Sequence, residues 1–553
     1  MQDTPLIVQS DKTLLLDVHH QRTEECRADL VRFCELIKSP EHMHTYTLSA
    51  ISLWNAAASG IKLETILDRL TYWSKFPVAE SVLFYVRDMA SRWGKVRLTE
   101  SDDPRYYRLE VDSERIKSEL MQRKALSKVL VLKDSRTFLL ETYARGEVKL
   151  QLIKIGYPVD DRIRLNAGPP LPLSLREQTR KGKDFVVRPY QKMAADALLG
   201  DLGPGCGFGT IVLPCGSGKT VVGMEIMQRL ATKTLVVTTN VAAVHQWMQE
   251  ILDKTDLTEE QVGEYTGERK DPRDVTVCTY QVLTYRPDKE GPFPHLDLLT
   301  KGNWGLIIYD EVHMLPAPVF KITAELQAVY RVGLTATLVR EDGREDEVFS
   351  LVGPKRFDVP WNELQQQGFI AEAYCHEIRI DLPKELEIPY ALGTKREKYR
   401  MASENPLKLE VVKELVNRHP DDFILIIGQY LDQLKHIADA FKLPIITGST
   451  PNAKREELYS AFREGTTRIL VVSKVANFAI DLPDASVAIQ VSGTFGSRSE
   501  EAQRLGRVLR PKNRSSFFYS VVTRYSNEEE FAANRQKFLA EQGYSYEIEV
   551  WDN

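Results

Sequence analysis

The sequence predicts an α/β protein in which two doubly wound parallel sheets follow smaller α+β domains. Apolar, strand-like runs alternate with helical runs from about residue 188, and the same alternation returns after about residue 423. Such alternation is typical of parallel sheets covered by helices on both faces. Before residue 160 the chain mixes helical segments with short alternating ones, which indicates smaller domains. We therefore expect domains at 1–100 and 101–160, a linker at 161–187, and sheet domains at 188–355 and 356–553.

The composition is that of an ordinary soluble globular chain. Its 553 residues favour three to four domains, and 43% hydrophobic with 27% charged residues is unremarkable. A net charge of −5 gives no overall basic field, so any nucleic-acid contact must come from a local positive channel. The six scattered cysteines indicate neither a zinc site nor a disulfide framework. With no leader-like segment and no membrane-length apolar run, we expect a cytoplasmic protein without membrane contact, and a monomer.

The first 188 residues show structural patterns and no catalytic chemistry. Residues 5–17 predict two short strands around a turn, and 46–58, 63–73 and 82–93 predict helices. Their tryptophans are interpreted as core residues. Residues 105–152 predict a small α+β module whose basic side chains form either a nucleic-acid face or a solvated surface.

A glycine-rich loop between a strand and a helix carries the strongest chemical signal. Residues 209–220 read GTIVLPCGSGKT, in which Thr210 to Leu213 suits a buried strand and a helical run follows. Loop and helix amides bind phosphate, Lys219 adds positive charge, and the Thr220 hydroxyl can ligate Mg²⁺. A glycine turn beside a surface lysine is the alternative, and the strand-loop-helix context disfavours it. The loop residues are Gly216, Ser217 and Gly218.

An acidic pair follows a second buried strand. Asp310 and Glu311 come directly after the apolar run GLIIY, and ligand-binding groups gather where strands of a parallel sheet end. We interpret Asp310 as an Mg²⁺ ligand and Glu311 as the group that orients or deprotonates the attacking water. The alternative is an acidic dipeptide on the surface, which the preceding strand disfavours.

Two arginines near the C-terminus match the charge of a phosphoryl-transfer transition state. Arg507 and Arg510 are three residues apart and so share a helical face, and Gln503 precedes them. The second α/β domain lacks a phosphate loop, so we expect nucleotide in the cleft between the domains with the arginines completing the site. A solvated basic helix is the alternative.

The ordered motifs resemble those of the XPB family of superfamily 2 DNA helicases. From about residue 188 the chain contains PYQ, LPCGSGKT, TTNVAAVHQW, DEVH, LTATLVRED, LIIGQY, DLPDASVAIQVSG and QRLGRVLRPK, in the family's order. The N-terminal segments PLIVQSD, HMHTYTLSAISLWNAA and WGKVRL are also similar. The resemblance therefore covers most of the chain.

The resemblance implies a helicase core of two RecA-like domains, ATP and Mg²⁺ as cofactors, and a role for each matching residue. It makes the first domain one of XPB type, places a damage-recognition-like module at 101–160, and places a thumb-like insert near 377–401. Implied nucleotide contacts are Arg188, Gln191, which would read adenine, and the glycine-loop residues through Thr220. Implied DNA-related residues are Thr335 and Thr337, the strand-separating Arg340, Glu341 and Asp342, and Lys395 and Arg396 of the thumb.

The motifs predict an ATP-dependent DNA helicase or translocase, and the resemblance implies 3′→5′ movement and a role in nucleotide-excision-type DNA repair or in DNA opening. Its partner would be single-stranded, duplex or forked DNA, with a nuclease or other repair protein as a further partner. One alternative is a double-stranded DNA translocase or remodeller that does not unwind processively. Another is a damage-binding scaffold with a decaying ATPase, which the intact acidic pair and arginines disfavour.

Overall fold

We describe the protein from a computed structural model. The described residues are 3–30, 32–38, 42–58, 60–163, 167–200, 202, 206–214, 216–288, 294–295, 302–314, 330–336, 352–353, 355–359, 361–370, 372–473, 485–493, 515–541 and 545–551. The chain divides into two compact units. One comprises Met1–Val212 and Gly218–Asp358, and the other comprises Leu213–Ser217 and Val359–Asn553.

Strands and helices alternate through most of the described chain. The strands are β1 (Leu6–Val8), β2 (Thr13–Asp17), β3 (Glu35–Lys38), β4 (Met43–Thr47), β5 (Val96–Glu100), β6 (Tyr106–Val111), β7 (Val131–Leu132), β8 (Thr137–Glu141), β9 (Val159–Asp161), β10 (Phe208–Val212), β11 (Thr234–Thr238), β12 (Val262–Tyr265), β13 (Val275–Thr279), β14 (Leu306–Asp310), β15 (Tyr330–Thr335), β16 (Lys355–Asp358), β17 (Ala373–Ile380), β18 (Ile424–Gly428), β19 (Ile445–Ile446), β20 (Ile469–Ser473), β21 (Val487–Gln490), β22 (Ser516–Thr523) and β23 (Ser545–Val550).

The described α-helices are α1 (Thr23–Leu30), α2 (Ala50–Ala58), α3 (Leu63–Trp73), α4 (Glu80–Ser91), α5 (Glu114–Gln122), α6 (Lys124–Ser127), α7 (Arg145–Lys154), α8 (Pro189–Leu199), α9 (Lys219–Leu230), α10 (Val241–Lys254), α11 (Tyr280–Thr284), α12 (Trp361–Gln366), α13 (Lys384–Leu392), α14 (Lys395–Ser403), α15 (Lys408–Arg418), α16 (Leu431–Phe441), α17 (Asn452–Arg463) and α18 (Asn527–Glu541). Short 3₁₀ helices span Thr142–Ala144 and Val312–Met314.

A small antiparallel sheet of order β1-β2-β4-β3 begins the first unit. The predicted strand pair around a turn is confirmed, since β1 pairs with β2 and the Asp11 carboxylate accepts a hydrogen bond from the Thr13 amide. The predicted helix over 46–58 is wrong at its start. Residues 43–47 form β4, which pairs with β2, and helix α2 begins at Ala50. Strand pairing there overrides a helical spacing of apolar residues.

A five-stranded sheet of order β7-β8-β6-β5-β9 forms the next layer of the first unit. It begins at Val96, within the range that we expected for the first domain, and it ends at Asp161. Helices α5 and α7 cover its apolar face, which buries residues such as Leu109 and Phe138. The stretch after it is held against neighbouring backbone, where Arg176 Nε donates to the Thr255 carbonyl at 2.6 Å.

Two seven-stranded sheets confirm the predicted doubly wound architecture. The first has the order β12-β13-β11-β14-β15-β10-β16 and the second β19-β20-β18-β21-β22-β17-β23. Their strand pairs are parallel throughout the described registers. Their central strands are runs of buried Val, Ile and Leu, as is expected of strands that are covered on both faces.

The region predicted as a thumb-like insert, 377–401, begins inside the second sheet. Residues 377–380 belong to β17, where the Glu377 side chain is fully buried. Helices α13 and α14 follow the strand. Among the described residues, no helix combines the length and the apolar character that a membrane span requires.

Candidate nucleotide site

Three neighbouring strands of the first sheet end at one edge and present the predicted nucleotide residues there. In register, Val212 of β10 lies beside Thr335 of β15, and Leu334 of β15 lies beside Asp310 of β14. The glycine loop follows β10. Asp310 is the last residue of β14, and Glu311 comes directly after it. The carboxyl edge of a parallel sheet is where such folds bind ligands, because the loops there are free to converge.

The glycine loop has backbone angles that few residues other than glycine adopt. Gly216 and Gly218 have φ angles of 79° and 80°, a region that favours glycine. Ser217 is buried, and its hydroxyl donates to the Pro214 carbonyl at 2.6 Å. Helix α9 begins at Lys219, and Thr220 lies in its first turn. The loop and helix start therefore fit a phosphate group, which backbone N–H groups at a helix N-terminus bind well.

Lys219 and Glu311 face each other across this edge. The Lys219 Nζ lies 3.6 Å from Glu311 Oε1, and both side chains are more than four-fifths buried. Glu311 adopts a φ of 49°, which costs an L-residue on the order of 1 kcal/mol. Strained backbone of this kind is concentrated at functional sites. The bend at Glu311 separates β14 from the following 3₁₀ helix.

Two residues that the sequence analysis did not single out hold Asp310. The Trp247 Nε1 donates to Asp310 Oδ2 at 2.9 Å, and the Tyr280 hydroxyl donates to the Asp310 carbonyl at 2.9 Å. Burial, followed by the charge of Glu311, raises the pKa of Asp310 to about 6, while the Trp247 hydrogen bond and the Lys219 charge oppose that rise. The signal for Trp247 was its place in the TTNVAAVHQW motif.

A buried hydrogen bond joins the acidic motif to the Thr335 strand. His313 Nδ1 lies 2.7 Å from Thr335 Oγ1, and also 3.5 Å from Glu311 Oε2. Both His313 and Thr335 are buried. His313 is the last residue of the DEVH motif, and the sequence pattern by itself indicates no separate role for it. Lys219, Glu311, His313 and Thr335 are therefore connected by successive polar side-chain contacts.

Gln191 lies against the glycine loop. Its Nε2 donates to the Gly218 carbonyl at 3.4 Å, and its Oε1 accepts from the Arg188 amide at 2.9 Å. A Cβ at residue 218 would come within 2.7 Å of this Nε2. The amide of Gln191 is thus oriented from both ends. Whether it reads adenine stays a prediction.

The remaining predicted residues either belong to the second unit or lie outside the described residues. Lys395 and Arg396 are exposed in the first turn of α14, in the second unit. The residues outside the described ranges are Thr337, Arg340, Glu341, Asp342, Gln503, Arg507 and Arg510.

Comparison with known proteins decides the family. A family profile described as "ERCC3/RAD25/XPB C-terminal helicase" matches residues 364–551, "Type III restriction enzyme, res subunit" matches 184–340, and "Helicase conserved C-terminal domain" matches 6–134. The DNA 3'-5' helicase XPB of Mycobacterium tuberculosis is 46% identical over 556 residues, which cover 100% of this chain and 99% of that protein. The chain belongs to the XPB helicase family.

Other relatives show that this XPB-family helicase matches along its whole length. The DNA 3'-5' helicase XPB of Kineococcus radiotolerans is also 46% identical, over 99% of this chain and 97% of that protein. The general transcription and DNA repair factor IIH helicase/translocase subunit XPB/SSL2 of Saccharomyces cerevisiae is 30% identical, over 98% of this chain and 71% of that protein. The two parallel sheets are the RecA-like domains of an ATP-hydrolysing helicase.

Proposed function

We propose that this XPB-family helicase couples ATP hydrolysis to 3′→5′ movement along DNA and separates its strands, in DNA repair or DNA opening. The observation that carries the chemical part is the Lys219–Glu311 pair at the carboxyl edge, beside a buried Asp310. The DNA part is supported by relatives that are 46% identical over the whole chain and are named DNA 3'-5' helicase XPB.

The edge residues divide the work of hydrolysis. The glycine loop and Lys219 bind the phosphates, and Thr220 and Asp310 hold Mg²⁺, which neutralises phosphate charge when bound. Glu311 orients the attacking water and accepts its proton. Because Lys219 pairs with Glu311 at 3.6 Å, an incoming phosphate competes for the ammonium group and leaves the carboxylate available to water.

The hydrogen bond between His313 and Thr335 supplies a route from hydrolysis to DNA. Thr335 ends β15, directly before the segment that contains Thr337 and the predicted strand-separating Arg340, Glu341 and Asp342. Lys395 and Arg396 are exposed and contact the DNA backbone, which makes binding salt-sensitive and largely independent of sequence. Gln503, Arg507 and Arg510 complete the charge stabilisation of the transition state.

A duplex translocase that separates no strands is the second candidate. It is favoured by the name of the yeast relative, a helicase/translocase subunit. The two functions share the hydrolytic residues and differ in whether the DNA strands are separated. A nuclease or repair protein as partner, and a monomeric state, stay predictions.

ATP turnover with different DNAs tests the proposal. We expect stimulation by forked DNA above that by duplex, and displacement of strands from 3′-tailed but not 5′-tailed duplexes. Glu311→Gln and Lys219→Ala should lower turnover at least a hundredfold, since they remove the water-orienting carboxylate and the phosphate-binding ammonium. Glu260→Gln, at an exposed carboxylate of the same unit, is the matched control.

Each remaining outcome has a definite meaning. Equal stimulation by fork and duplex without strand displacement would establish the translocase instead. Activity that is unchanged in Lys219→Ala would overturn the phosphate-binding role of Lys219 and favour the damage-binding scaffold instead.

A further inference from the structure

One short helix of the second unit has a basic exposed end and a buried end that contacts a sheet loop. In α14, Lys395 and Arg396 are exposed in the first turn, and Thr394 caps that turn by accepting from the Glu397 amide. The other face buries Tyr399 and Ser403.

The buried face touches the loop after β21. The Tyr399 hydroxyl donates to the Gly493 carbonyl, and its ring packs edge-on against Phe531 with centroids 5.7 Å apart. Gly493 is the last described residue before the segment 494–514, which contains Arg507 and Arg510.

A buried ion pair holds the same loop from the other side. Lys408 Nζ donates to the Val491 carbonyl at 2.8 Å and to both carboxylate oxygens of Glu528 at 2.8 and 3.0 Å. The Ser403 hydroxyl donates to Glu528 at 3.0 Å. The side chains of Lys408 and Glu528 are only 1% and 6% exposed.

The ion pair is a costly way to stabilise a fold. Removing two charges from water costs several kcal/mol per ion, and well-packed apolar side chains often serve stability as well or better. The pair does restrict geometry, because an ammonium group that donates to three acceptors has little freedom to rotate or shift. The pair therefore specifies where Val491 sits relative to α14 and α18.

We propose that Tyr399 and Lys408 are positioning residues: by fixing Val491–Gly493 they are required for DNA to stimulate ATP hydrolysis. The inference rests on the proposed function, and it names how that function is regulated by DNA. Both side chains are buried, so we expect them to act through the loop that they hold rather than on nucleotide or DNA directly.

Tyr399→Phe is the sharpest test, because it removes one hydroxyl and keeps the ring. Tyr519→Phe is its matched control: Tyr519 is also buried in the second unit, and its hydroxyl lies 2.9 Å from His419 Nε2 rather than at the loop. For the intact chain, we would measure turnover with and without single-stranded DNA, the KM for ATP, the Kd for DNA and the Tm.

For Tyr399→Phe we expect the DNA-stimulated kcat to fall about tenfold. That is the change in rate expected when the activation barrier rises by the contribution of one buried hydrogen bond. The Kd for DNA should stay within about twofold of wild type. Tm should match that of Tyr519→Phe, which keeps wild-type turnover. The double variant Lys408→Met, Glu528→Gln removes the ion pair but keeps an acceptor oxygen near the Ser403 hydroxyl and the Thr523 amide, and it should show the same kcat loss.

Wild-type stimulation in Tyr399→Phe, or an equal kcat loss in Tyr519→Phe, would overturn the inference and leave the proposed function intact. A loss that tracks a lowered Tm would do the same, because it would assign a structural role only. Wild-type protein that hydrolyses ATP without any stimulation by DNA would overturn both.

Discussion

The indole of Trp247 is hydrogen-bonded to Asp310, with 2.9 Å between Nε1 and Oδ2. The same ring lies against Gly223 of α9, where an added Cβ would come within 2.6 Å of it. Trp247 thus links α10 to α9, which begins after the glycine loop, and to β14, which ends at Asp310. Its hydrogen bond also opposes the rise that burial imposes on the pKa of Asp310.

Trp247→Phe should lower kcat for ATP hydrolysis about tenfold at saturating Mg²⁺, since the proposed metal-binding carboxylate loses a donor that orients it. Trp54→Phe is the control, because Trp54 is buried in the N-terminal domain and donates to the Met89 carbonyl at 2.9 Å. Steady-state turnover would be compared with the Tm of each variant. Equal activity losses in the two variants would contradict a role for Trp247 at the site.

Gly218→Ala should weaken nucleotide binding at least tenfold. The substitution strains a backbone with φ of 80° and drives a methyl group to 2.7 Å from Gln191 Nε2. Gly60→Ala has the same backbone strain, at φ of 79°, but nothing within 4 Å of the added Cβ. Titration with a fluorescent ATP analogue separates the two effects. Unchanged affinity in Gly218→Ala would show that the loop tolerates the collision.

Thr335→Val and His313→Asn should each reduce DNA-stimulated hydrolysis, and the double variant should lose less than the product of the two. A shared hydrogen bond of 2.7 Å predicts a coupling free energy of about 1 kcal/mol. Thr210→Val, which removes a buried hydroxyl from β10 that donates to the Gly353 carbonyl, is the control. Strict multiplicativity of the effects of Thr335→Val and His313→Asn would mean that the bond carries no function.

The N-terminal domain should lose stability as the pH falls below about 6.5. Burial, together with the charge of Arg27, lowers the pKa of His44 to about 4. Between pH 6.5 and 4 the His44 side chain is protonated in the unfolded state but largely neutral in the folded state. The free energy of unfolding is therefore lower by about 2.5 kcal/mol at pH 4.5 than at neutral pH.

Hydrogen exchange of the strand Met43–Thr47 at pH 7 and 4.5 would measure this loss. In His44→Phe that pH dependence should disappear. Identical pH dependence in wild type and variant would exclude His44 as its source.

The glycine loop and the acidic pair were predictable because each is a local pattern. A strand, three small residues and Lys219 follow one another in the chain, and Glu311 adjoins Asp310. The contacts of Trp247 and Tyr280 with Asp310, and of His313 with Thr335, were not predictable. In each pair the two residues are distant in sequence and meet only in the folded sheet. The roles of all these residues in catalysis stay predictions.

The order of apolar runs along the chain was sufficient to determine two parallel sheets, because strand and helix periodicities are local properties. Tertiary structure alone decided that residues 43–47 pair as a strand, that 377–380 enter the second sheet, and that Lys408 is buried against Glu528. The reason is that pairing and burial depend on which distant segments meet, and those contacts outweigh the small preferences of single residues.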